Sequence, residues 1–284
     1  MTDTTPGPAA AELAERLTVA RELALAAGSL LLERLGQAGV QAAKAGTEFV
    51  TDADHEAEEL VLAGLSRRFP QDSVLAEESG ASVVGAGDAE RTWYVDPLDG
   101  TTNFAHGYPF FAVSIACGDA DGVLVGAVCA PCLDELYTAS RGGGATLERP
   151  AHHRRQALGR RRQLPLASAL LATGFPYVRD ATVDLNTRLV RDFLVAPCHG
   201  VRRGGSAAID LCHTAAGKLD GYWEWRLRPW DTAAGALVAR EAGCVVTDAG
   251  GVAVPVPADS VVAAAPGLHA EMLAVIAAAA GGTT

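Results

Sequence analysis

The sequence lacks any long apolar run and any leader-like beginning. No apolar stretch approaches the ~18 residues that a membrane-spanning helix needs. The first nine residues are polar and contain proline, without a basic segment followed by an apolar one. These absences predict a protein that does not enter a membrane, and we expect it in the cytoplasm.

Cationic residues are also few. The 23 Lys and Arg residues are outnumbered by 34 Asp and Glu residues, which gives a formal net charge of −11. A nucleic-acid-binding surface needs clustered Lys and Arg, so we expect no nucleic-acid partner, whereas a carboxylate-rich cation site agrees with this charge. With 284 residues, 49% hydrophobic and 20% charged, the composition is that of a globular protein with one large domain or two lobes.

Cysteine is sparse as well. The six cysteines lie mostly within apolar segments and do not form the dense pattern of a secreted disulfide scaffold. Cys129 and Cys132 form a C-x-x-C pair, a pattern that can bind zinc or take part in redox chemistry. Because no second C-x-x-C accompanies it, we interpret these residues as ordinary cytosolic thiols.

The most informative stretch follows a short apolar run at 93–95 and reads D-P-L-D-G-T-T-N-F from Asp96 to Phe104. Pro97 has a fixed φ and no N–H, so we expect a central strand to end there. The side chains of Asp96 and Asp99 can then converge beyond the strand, and hard oxygens gathered in this way suit Mg²⁺. A tight surface turn is the alternative interpretation of this run.

The glycine of this run favours a phosphate site beside the cation. Gly100 has no Cβ, so a ligand can approach the backbone closely, and the amides of Thr101 and Thr102 open beyond the turn. Such amides attract phosphate.

Apolar periodicity divides the chain into two halves. Apolar residues at three- and four-residue steps predict a helix from Leu13 to Leu35, and a second helix begins near Asp54 and ends before Pro70. Strand-like runs then predict an antiparallel meander, at 93–95, 112–116, 123–128 and 135–138. The second half alternates, as in an α/β lobe, between helices at 206–216 and 230–242 and strands at 221–224 and 244–247.

Two further carboxylate motifs complete a recognisable set. Glu77-Glu78 lies about twenty residues before the D-P-L-D-G run, and Asp231 lies in P-W-D-T-A-A-G, where a helical pattern begins. G-S-A-A at 205–208 and Y-W-E at 222–224 lie between them. In this order the motifs resemble the inositol monophosphatase family, specifically its bacterial inositol-1-monophosphatase-like branch, from about Thr47 to Gly251.

The resemblance implies a layered αβαβα sandwich of the inositol monophosphatase and fructose-1,6-bisphosphatase type, with one α+β and one α/β lobe. The expected division is a flexible N-terminus at 1–9, an N-terminal α+β lobe with most metal ligands at 10–147, an Arg-rich loop at 148–164 and a C-terminal α/β lobe at 165–284. A homodimer is also implied.

The implied activity is Mg²⁺-dependent, lithium-sensitive hydrolysis of inositol 1-phosphate or a similar polyol phosphate, by direct attack of a metal-bound water. One Mg²⁺ would be held by Glu77, Asp96 and the Leu98 carbonyl, and a second by Asp96, Asp99 and Asp231. A third ion is implied beside an aspartate whose place we assign to Glu48, where the extra methylene alters the geometry. We therefore expect two or three Mg²⁺ ions.

The resemblance also implies the substrate contacts. Thr101 with Glu77 would orient or deprotonate the water, and the amides of Gly100, Thr101 and Thr102 would hold phosphate oxygens between Asp99 and Asp231. The alcohol would be bound by Glu224 and by the loop of Gly205, Ser206 and Ala207.

Other interpretations remain open at this point. A fructose-1,6-bisphosphatase, a histidinol-phosphate phosphatase and a 3′-nucleotidase share the metal carboxylates and differ in the alcohol pocket, although Y-W-E favours a polyol. A haloacid-dehalogenase-type phosphatase would need D-x-D after an early strand. The chain could instead act mainly as an interaction partner, through the Arg-rich segment as a surface for an anionic molecule, but the complete set of metal ligands argues against a purely non-enzymatic role.

Overall fold

The structure is a computed structural model that describes residues 8–36, 40–43, 49–83, 90–159, 163–176 and 180–281. The helices of these residues are α1 (Pro8–Arg34), α2 (Asp52–Arg68), α3 (Thr101–Ala105), α4 (Ala181–Val195), α5 (Ala207–Ala216), α6 (Pro229–Glu241) and α7 (Pro266–Gly281). None of them is both long and apolar enough to cross a membrane.

The strands in the first half are β1 (Val40–Ala43), β2 (Phe49–Thr51), β3 (Ser73–Ala76), β4 (Gly80–Val83), β5 (Thr92–Asp99), β6 (Ala112–Asp119), β7 (Gly122–Ala130), β8 (Glu135–Ser140), β9 (Gly144–Arg149) and β10 (Arg154–Leu158). Those in the second half are β11 (Leu170–Thr173), β12 (Gly200–Arg202), β13 (Gly221–Trp225), β14 (Val245–Thr247) and β15 (Ser260–Ala264).

Two large sheets alternate with pairs of helices. The first has eight strands in the order β10-β9-β8-β7-β6-β5-β3-β4, and the second has five in the order β12-β11-β13-β15-β14. Helices α1 and α2 pack on one face of the first sheet, α5 and α6 lie between the sheets, and α4 and α7 cover the second sheet. This is the expected αβαβα layering.

Each layer boundary has its own apolar core. One cluster joins α1 and α2 to the first sheet, a second surrounds α5 and α6, and a third joins α4 and α7 to the second sheet. Small residues bring α6 close to β7, because a Cβ built on Gly126 would lie 2.9 Å from Ala234 Cα. The A-A-G-A stretch of α6 therefore serves packing between the two sheets.

The predicted meander is confirmed, since β5 to β8 pair as antiparallel neighbours. The predicted helices are present within a few residues of their expected ends; Gly217 closes α5 with φ 75°. In the second sheet β11 pairs in parallel with both β12 and β13, whereas β15 runs antiparallel to its neighbours.

The strand expected to end at Pro97 continues to Asp99. Asp96 pairs with Ser114 and Asp99 with Ala112, so three steps along β5 match two along β6. This irregularity is a bulge, and it explains the difference, because a bulge leaves an unpaired position where a proline without an N–H is tolerated.

Two expectations about local structure are corrected. Residues 154–158 of the Arg-rich segment, predicted as a loop, form the edge strand β10, in which Arg154 opposes Arg149 and Leu158 opposes Ala145. Residues 154–157 are exposed and Leu158 is buried, so the segment lacks the apolar alternation that predicts a strand. The pairing of its backbone with β9 therefore cannot be predicted from its side chains. Arg160, Arg161 and Arg162 lie outside the described residues. At the N-terminus, Pro8 already begins α1 rather than belonging to a flexible segment.

Candidate active site

The bulge in β5 places two carboxylates at one strand end. Asp96 is buried, and its Oδ1 accepts a hydrogen bond of 3.0 Å from the amide of Leu98. Asp99 is the last residue of the strand. The bulge lies between Asp96 and Asp99 and therefore changes the direction in which the Asp99 side chain extends from the strand.

Gly100 makes the turn from β5 into α3 possible. Its φ of 100° lies in the region that favours glycine, and a Cβ built there would lie 3.0 Å from the carbonyl oxygen of Phe110 and 3.2 Å from that of Gly205. Asn103 ties the same corner together, because its Nδ2 donates to the carbonyls of Phe110 at 2.6 Å and Gly204 at 3.0 Å.

Thr101 is held by two acceptors. Its hydroxyl lies 3.0 Å from the Leu98 carbonyl oxygen and 3.1 Å from Asp54 Oδ1. Asp54 sits in the first turn of α2, where its Oδ2 accepts from the amide of Thr51 at 2.8 Å and from the Thr51 hydroxyl at 2.5 Å. The buried carboxylate of Asp54 thus connects the start of α2 to the start of α3.

Asp54 is a residue that our sequence reasoning did not assign. From the sequence we assign to Glu48 the place of the acid that assists the third ion and the attacking water, and Glu48 lies outside the described residues. The signal was available in the sequence, because Val50-Thr51-Asp52-Ala53-Asp54 itself ends in an aspartate, one helical turn after the capping threonine.

Asp99 links the first sheet to the helix layer between the sheets. Its Oδ2 accepts a hydrogen bond of 2.6 Å from the Ser206 hydroxyl and one of 2.7 Å from the amide of Ala208. Ser206 also caps α5 by accepting from the amide of Ile209 at 3.3 Å. The G-S-A-A motif therefore fixes this metal-ligand candidate from the opposite half of the chain.

The other two carboxylates come from a strand end and a helix start. Glu77 follows β3, and its amide donates to the carbonyl of Val95 at 3.1 Å, next to Asp96. Asp231 lies in the first turn of α6 and accepts from the amide of Arg228 at 2.7 Å. Pro229 suits this helix start because a first-turn residue needs no intrahelical N–H partner.

Burial and mutual repulsion shape the electrostatics of these groups. Burial raises the pKa of Asp96 well above its usual range, and the charges of Glu77, Asp99 and Asp231 raise it further. Burial also raises the pKa of Asp99 to about 6, although the hydrogen bonds from Ser206 and Ala208 act in the opposite direction. Buried carboxylates that repel one another favour either a proton or a cation.

This donor set fits Mg²⁺ by its chemistry. All the candidate ligands are carboxylate or carbonyl oxygens, which suit Mg²⁺ and disfavour zinc. In the described residues no three His, Cys, Asp or Glu side chains converge as a formed metal cluster. Asp96 Oδ1, Asp99 Oδ2 and Asp231 Oδ2 each accept a hydrogen bond within the protein, and these hydrogen bonds fix the orientation of the three carboxylates.

A cleft of about 500 Å³ brings most of the predicted residues together. The predicted residues that line it are Glu77, Asp96, Leu98, Asp99, Gly100, Thr101, Gly205, Ala207, Glu224 and Asp231. Thr102 and Ser206 do not line it; the structure places Thr102 in α3 and turns Ser206 toward Asp99. The cleft is also lined by residues that the sequence does not single out as site residues, among them Gly174, Phe175 and Arg228.

Glu224 stands on the wall contributed by the second sheet. It lies near the end of β13, and its Oε2 accepts a hydrogen bond from the buried hydroxyl of Tyr222. Burial raises the pKa of Glu224 to about 7, against the opposing effect of the Tyr222 hydrogen bond. The cleft thus has a carboxylate-rich end formed by Glu77, Asp96, Asp99 and Asp231, and Glu224 on the wall of the second sheet.

The fold and the cleft define a class: a layered α/β protein whose carboxylate-lined site lies between its two sheets. A family model described as "Inositol monophosphatase family" matches residues 12–281. The chain therefore belongs to the inositol monophosphatase family.

Relatives in this family carry two kinds of name. The chain is 39% identical over 264 residues to the "Putative Nus factor SuhB" of Neisseria meningitidis serogroup B, covering 92% of this chain and 98% of that protein. It is 43% identical over 232 residues to the "Inositol-1-monophosphatase" of Synechocystis sp., covering 81% and 78%.

Solved structures agree with this placement. The extragenic suppressor protein suhB from Bartonella henselae superposes with a TM-score of 0.84 at 34% identity, covering 92% of this chain and 98% of that one. The inositol monophosphatase from Anabaena gives a TM-score of 0.81 at 37% identity, covering 94% and 97%.

Proposed function

We propose that this protein hydrolyses a phosphate monoester of a polyol, inositol 1-phosphate or a closely similar compound, with the help of Mg²⁺. One observation carries the proposal: a single cleft is lined both by the four carboxylates Glu77, Asp96, Asp99 and Asp231 and by Glu224 on the facing wall. The first group suits a cation and its phosphate, and the second suits the hydroxyls of an alcohol.

The carboxylates are proposed to hold two ions. Glu77, Asp96 and the Leu98 carbonyl form the first ligand set, and Asp96, Asp99 and Asp231 form the second. Bound Mg²⁺ would lower the pKa of a coordinated water and offset the charge of the phosphate. A third ion, expected from the resemblance beside Glu48, stays a prediction.

Thr101 is proposed to align the attacking water. A threonine hydroxyl is a weak base, so its contribution is position rather than proton abstraction. The carboxylate of Asp54, 3.1 Å away, and the Leu98 carbonyl restrict where that hydroxyl can point. In the reaction water adds to phosphorus, the bond from phosphorus to the alcohol oxygen breaks, and the alcohol leaves with a proton.

The phosphate is proposed to lie between this water and the alcohol, so that the alcohol leaves from the face of phosphorus opposite the attack. The amides of Gly100, Thr101 and Thr102 follow the β5 turn and would donate to phosphate oxygens. On the far wall Glu224 would accept hydrogen bonds from polyol hydroxyls, with the backbone of 205–207 beside it. A cytoplasmic location and a homodimer belong to the same proposal.

A phosphate-release screen tests the proposal. The panel contains inositol 1-phosphate, fructose 1,6-bisphosphate, histidinol phosphate and adenosine 3′,5′-bisphosphate, each with Mg²⁺ and after removal of metal by EDTA. We expect preference for inositol 1-phosphate, loss of turnover without metal, inhibition by Ca²⁺ and a fall in rate with Li⁺. Asp231→Asn should be inactive, whereas Asp121→Asn, at an exposed aspartate, is the matched control. Full turnover after exhaustive EDTA treatment would contradict the proposal.

The relatives named Nus factor SuhB favour a second candidate, in which this chain too acts as a Nus factor. The two functions are separable with the same variant. If cells that lack the protein regain normal growth with inactive Asp231→Asn, the interaction role is favoured; if they need the active form, the phosphatase role is favoured.

A further inference from the structure

The carboxylate of Glu224 occupies space that a side chain at position 174 would need. A Cβ built on Gly174 would overlap Oε1, Oε2 and Cδ of Glu224. Its distance to each of these atoms would be well below 3.0 Å, and real Cβ atoms essentially never come that close to another heavy atom. The backbone of Gly174 does not have a positive φ, so conformation does not require glycine there. The requirement at this position is one of space.

The Gly174 backbone cannot easily move away to make room. Its carbonyl oxygen accepts from Nδ2 of Asn186 on α4 and from the hydroxyl of Thr173 at 3.2 Å. Asn186 is buried, and its Oδ1 accepts from Trp223 Nε1 at 2.9 Å. The loop after β11 is therefore fastened to the strand that carries Glu224.

Tyr222 holds the same carboxylate from the side of its own strand. Its hydroxyl is fully buried and donates to Glu224 Oε2. Of the described residues Tyr222 alone donates a hydrogen bond to this carboxylate. Glu224 lines the cleft and is only partly buried, and among the described residues the side-chain donor found at its carboxylate is at Oε2.

We propose that Gly174 and Tyr222 are positioning residues that determine the alcohol specificity of the cleft, by holding Glu224 with one oxygen presented to a substrate hydroxyl. This inference rests on the proposed function, because it assigns Glu224 to the polyol. The substrate class it selects is a phosphate monoester with a hydroxyl beyond the ester oxygen. An ester without that hydroxyl gains nothing from the arrangement.

The first test compares Gly174→Ala with Gly221→Ala. Gly221 lies on the same strand as Glu224, and a Cβ there would lie 2.5 Å from Sδ of Met272, a core residue of α7. We measure kcat and KM for inositol 1-phosphate and for 4-nitrophenyl phosphate. For Gly174→Ala we expect a rise in KM for the polyol ester of about 10- to 100-fold, the size of a lost hydrogen bond to a charged group. The aryl ester and the Gly221→Ala control should change little.

If Gly174→Ala fails to fold, a second pair of variants tests the same inference. Tyr222→Phe removes only the hydroxyl, and Tyr137→Phe is its matched control, because Tyr137 is equally buried and donates to Glu135 at 2.8 Å, also two residues away. The Tyr222 variant should lose polyol preference, whereas the Tyr137 variant should keep it. Equal behaviour of the two variants would overturn the inference.

A readout without substrate separates this inference from the proposed function. Gly174→Ala should lower Tm in the parent protein but clearly less in a Glu224→Ala background, where the carboxylate no longer competes for the space. Absence of that coupling overturns the positioning role, whatever the substrate is. Coupling in a protein that does not prefer polyol phosphates would instead sustain the positioning role and reject the proposed function.

Discussion

The hydroxyl of Thr101 lies 3.1 Å from Oδ1 of Asp54, a carboxylate buried in the first turn of α2. The two residues are 47 positions apart, and one is next to the β5 turn while the other caps a different helix. Their contact gives the threonine a fixed orientation beside the candidate metal ligands.

We predict that Thr101→Ala lowers kcat by roughly 10²–10⁴-fold, the usual range for a lost proton-transfer or positioning group. Alanine removes the hydroxyl but keeps the amide assigned to phosphate, so Mg²⁺ affinity should change little. Steady-state kinetics with a Mg²⁺ titration measures both quantities. Thr101→Ser should retain much of the rate, and a serine variant as inactive as alanine would show that the methyl group matters instead.

A second prediction compares Asp54 with Glu48. Asp54→Asn should lower kcat much more than Glu48→Gln, because Asp54 Oδ1 accepts a hydrogen bond from the Thr101 hydroxyl. Stability should fall less than activity, because asparagine keeps one oxygen that can accept both hydrogen bonds from Thr51, whereas its amide nitrogen cannot accept the hydrogen bond from Thr101. Rates and Tm values of both variants decide the matter. A larger effect at Glu48 would restore the assignment made from the sequence.

The third prediction concerns Asp99→Asn. Turnover should be abolished, while the Tm of the metal-free protein should stay nearly unchanged or rise, because one of several clustered negative charges is removed. Asparagine also keeps an oxygen that can accept from Ser206 and Ala208. Calorimetry in EDTA together with an activity assay tests both halves. A large fall in Tm with activity intact would mark Asp99 as structural.

Gly100→Ala should both destabilise the protein and inactivate it. A non-glycine residue at φ 100° is strained by about 1–3 kcal/mol, and its Cβ would press on the Phe110 carbonyl 3.0 Å away. Urea unfolding measures the first effect. Gly142→Ala is a control at positive φ (72°) with open space around it, so it should show strain without loss of activity.

The fifth prediction uses a buried carboxylate outside the cleft. Burial alone would raise the pKa of Glu135, but hydrogen bonds from His213, Lys218 and Tyr137 outweigh burial and lower it to about 2 from an ordinary 4.5. Because the folded-state pKa is lowered, the stabilisation is complete above pH 4.5 and is lost as the pH falls toward 2. The shift corresponds to about 3 kcal/mol.

Glu135→Gln should therefore reduce the free energy of unfolding most near neutral pH. The difference from the parent should shrink as the pH falls from 4.5 toward 2, because glutamine resembles the protonated acid. Urea unfolding across the acid range gives this difference, with Glu59→Gln on the exposed face of α2 as control. A difference that does not vary with pH would contradict the assignment.

Much of the fold was predictable because its signals are local. The three- and four-residue apolar steps of α1, the short apolar strands of the meander and the glycine that ends α5 depend on neighbours in sequence. The Arg-rich strand β10 escaped prediction because its support comes from backbone pairing with β9 and not from its own side chains. The continuation of β5 past Pro97 escaped for a related reason, since a bulge is a property of two strands together.

The candidate site likewise has residues that the sequence identifies and contacts that only the tertiary structure shows. Asp96, Asp99, Gly100 and Thr101 are recognisable in the sequence, because ligand chemistry and turn geometry need those residue types at close spacing. The partnership of Thr101 with Asp54, the hold of Ser206 on Asp99 and the space that Gly174 leaves for Glu224 were decided only by the tertiary structure. Each of these contacts joins residues at least 47 positions apart, and their distance follows from how the sheets and helices stack rather than from any local pattern.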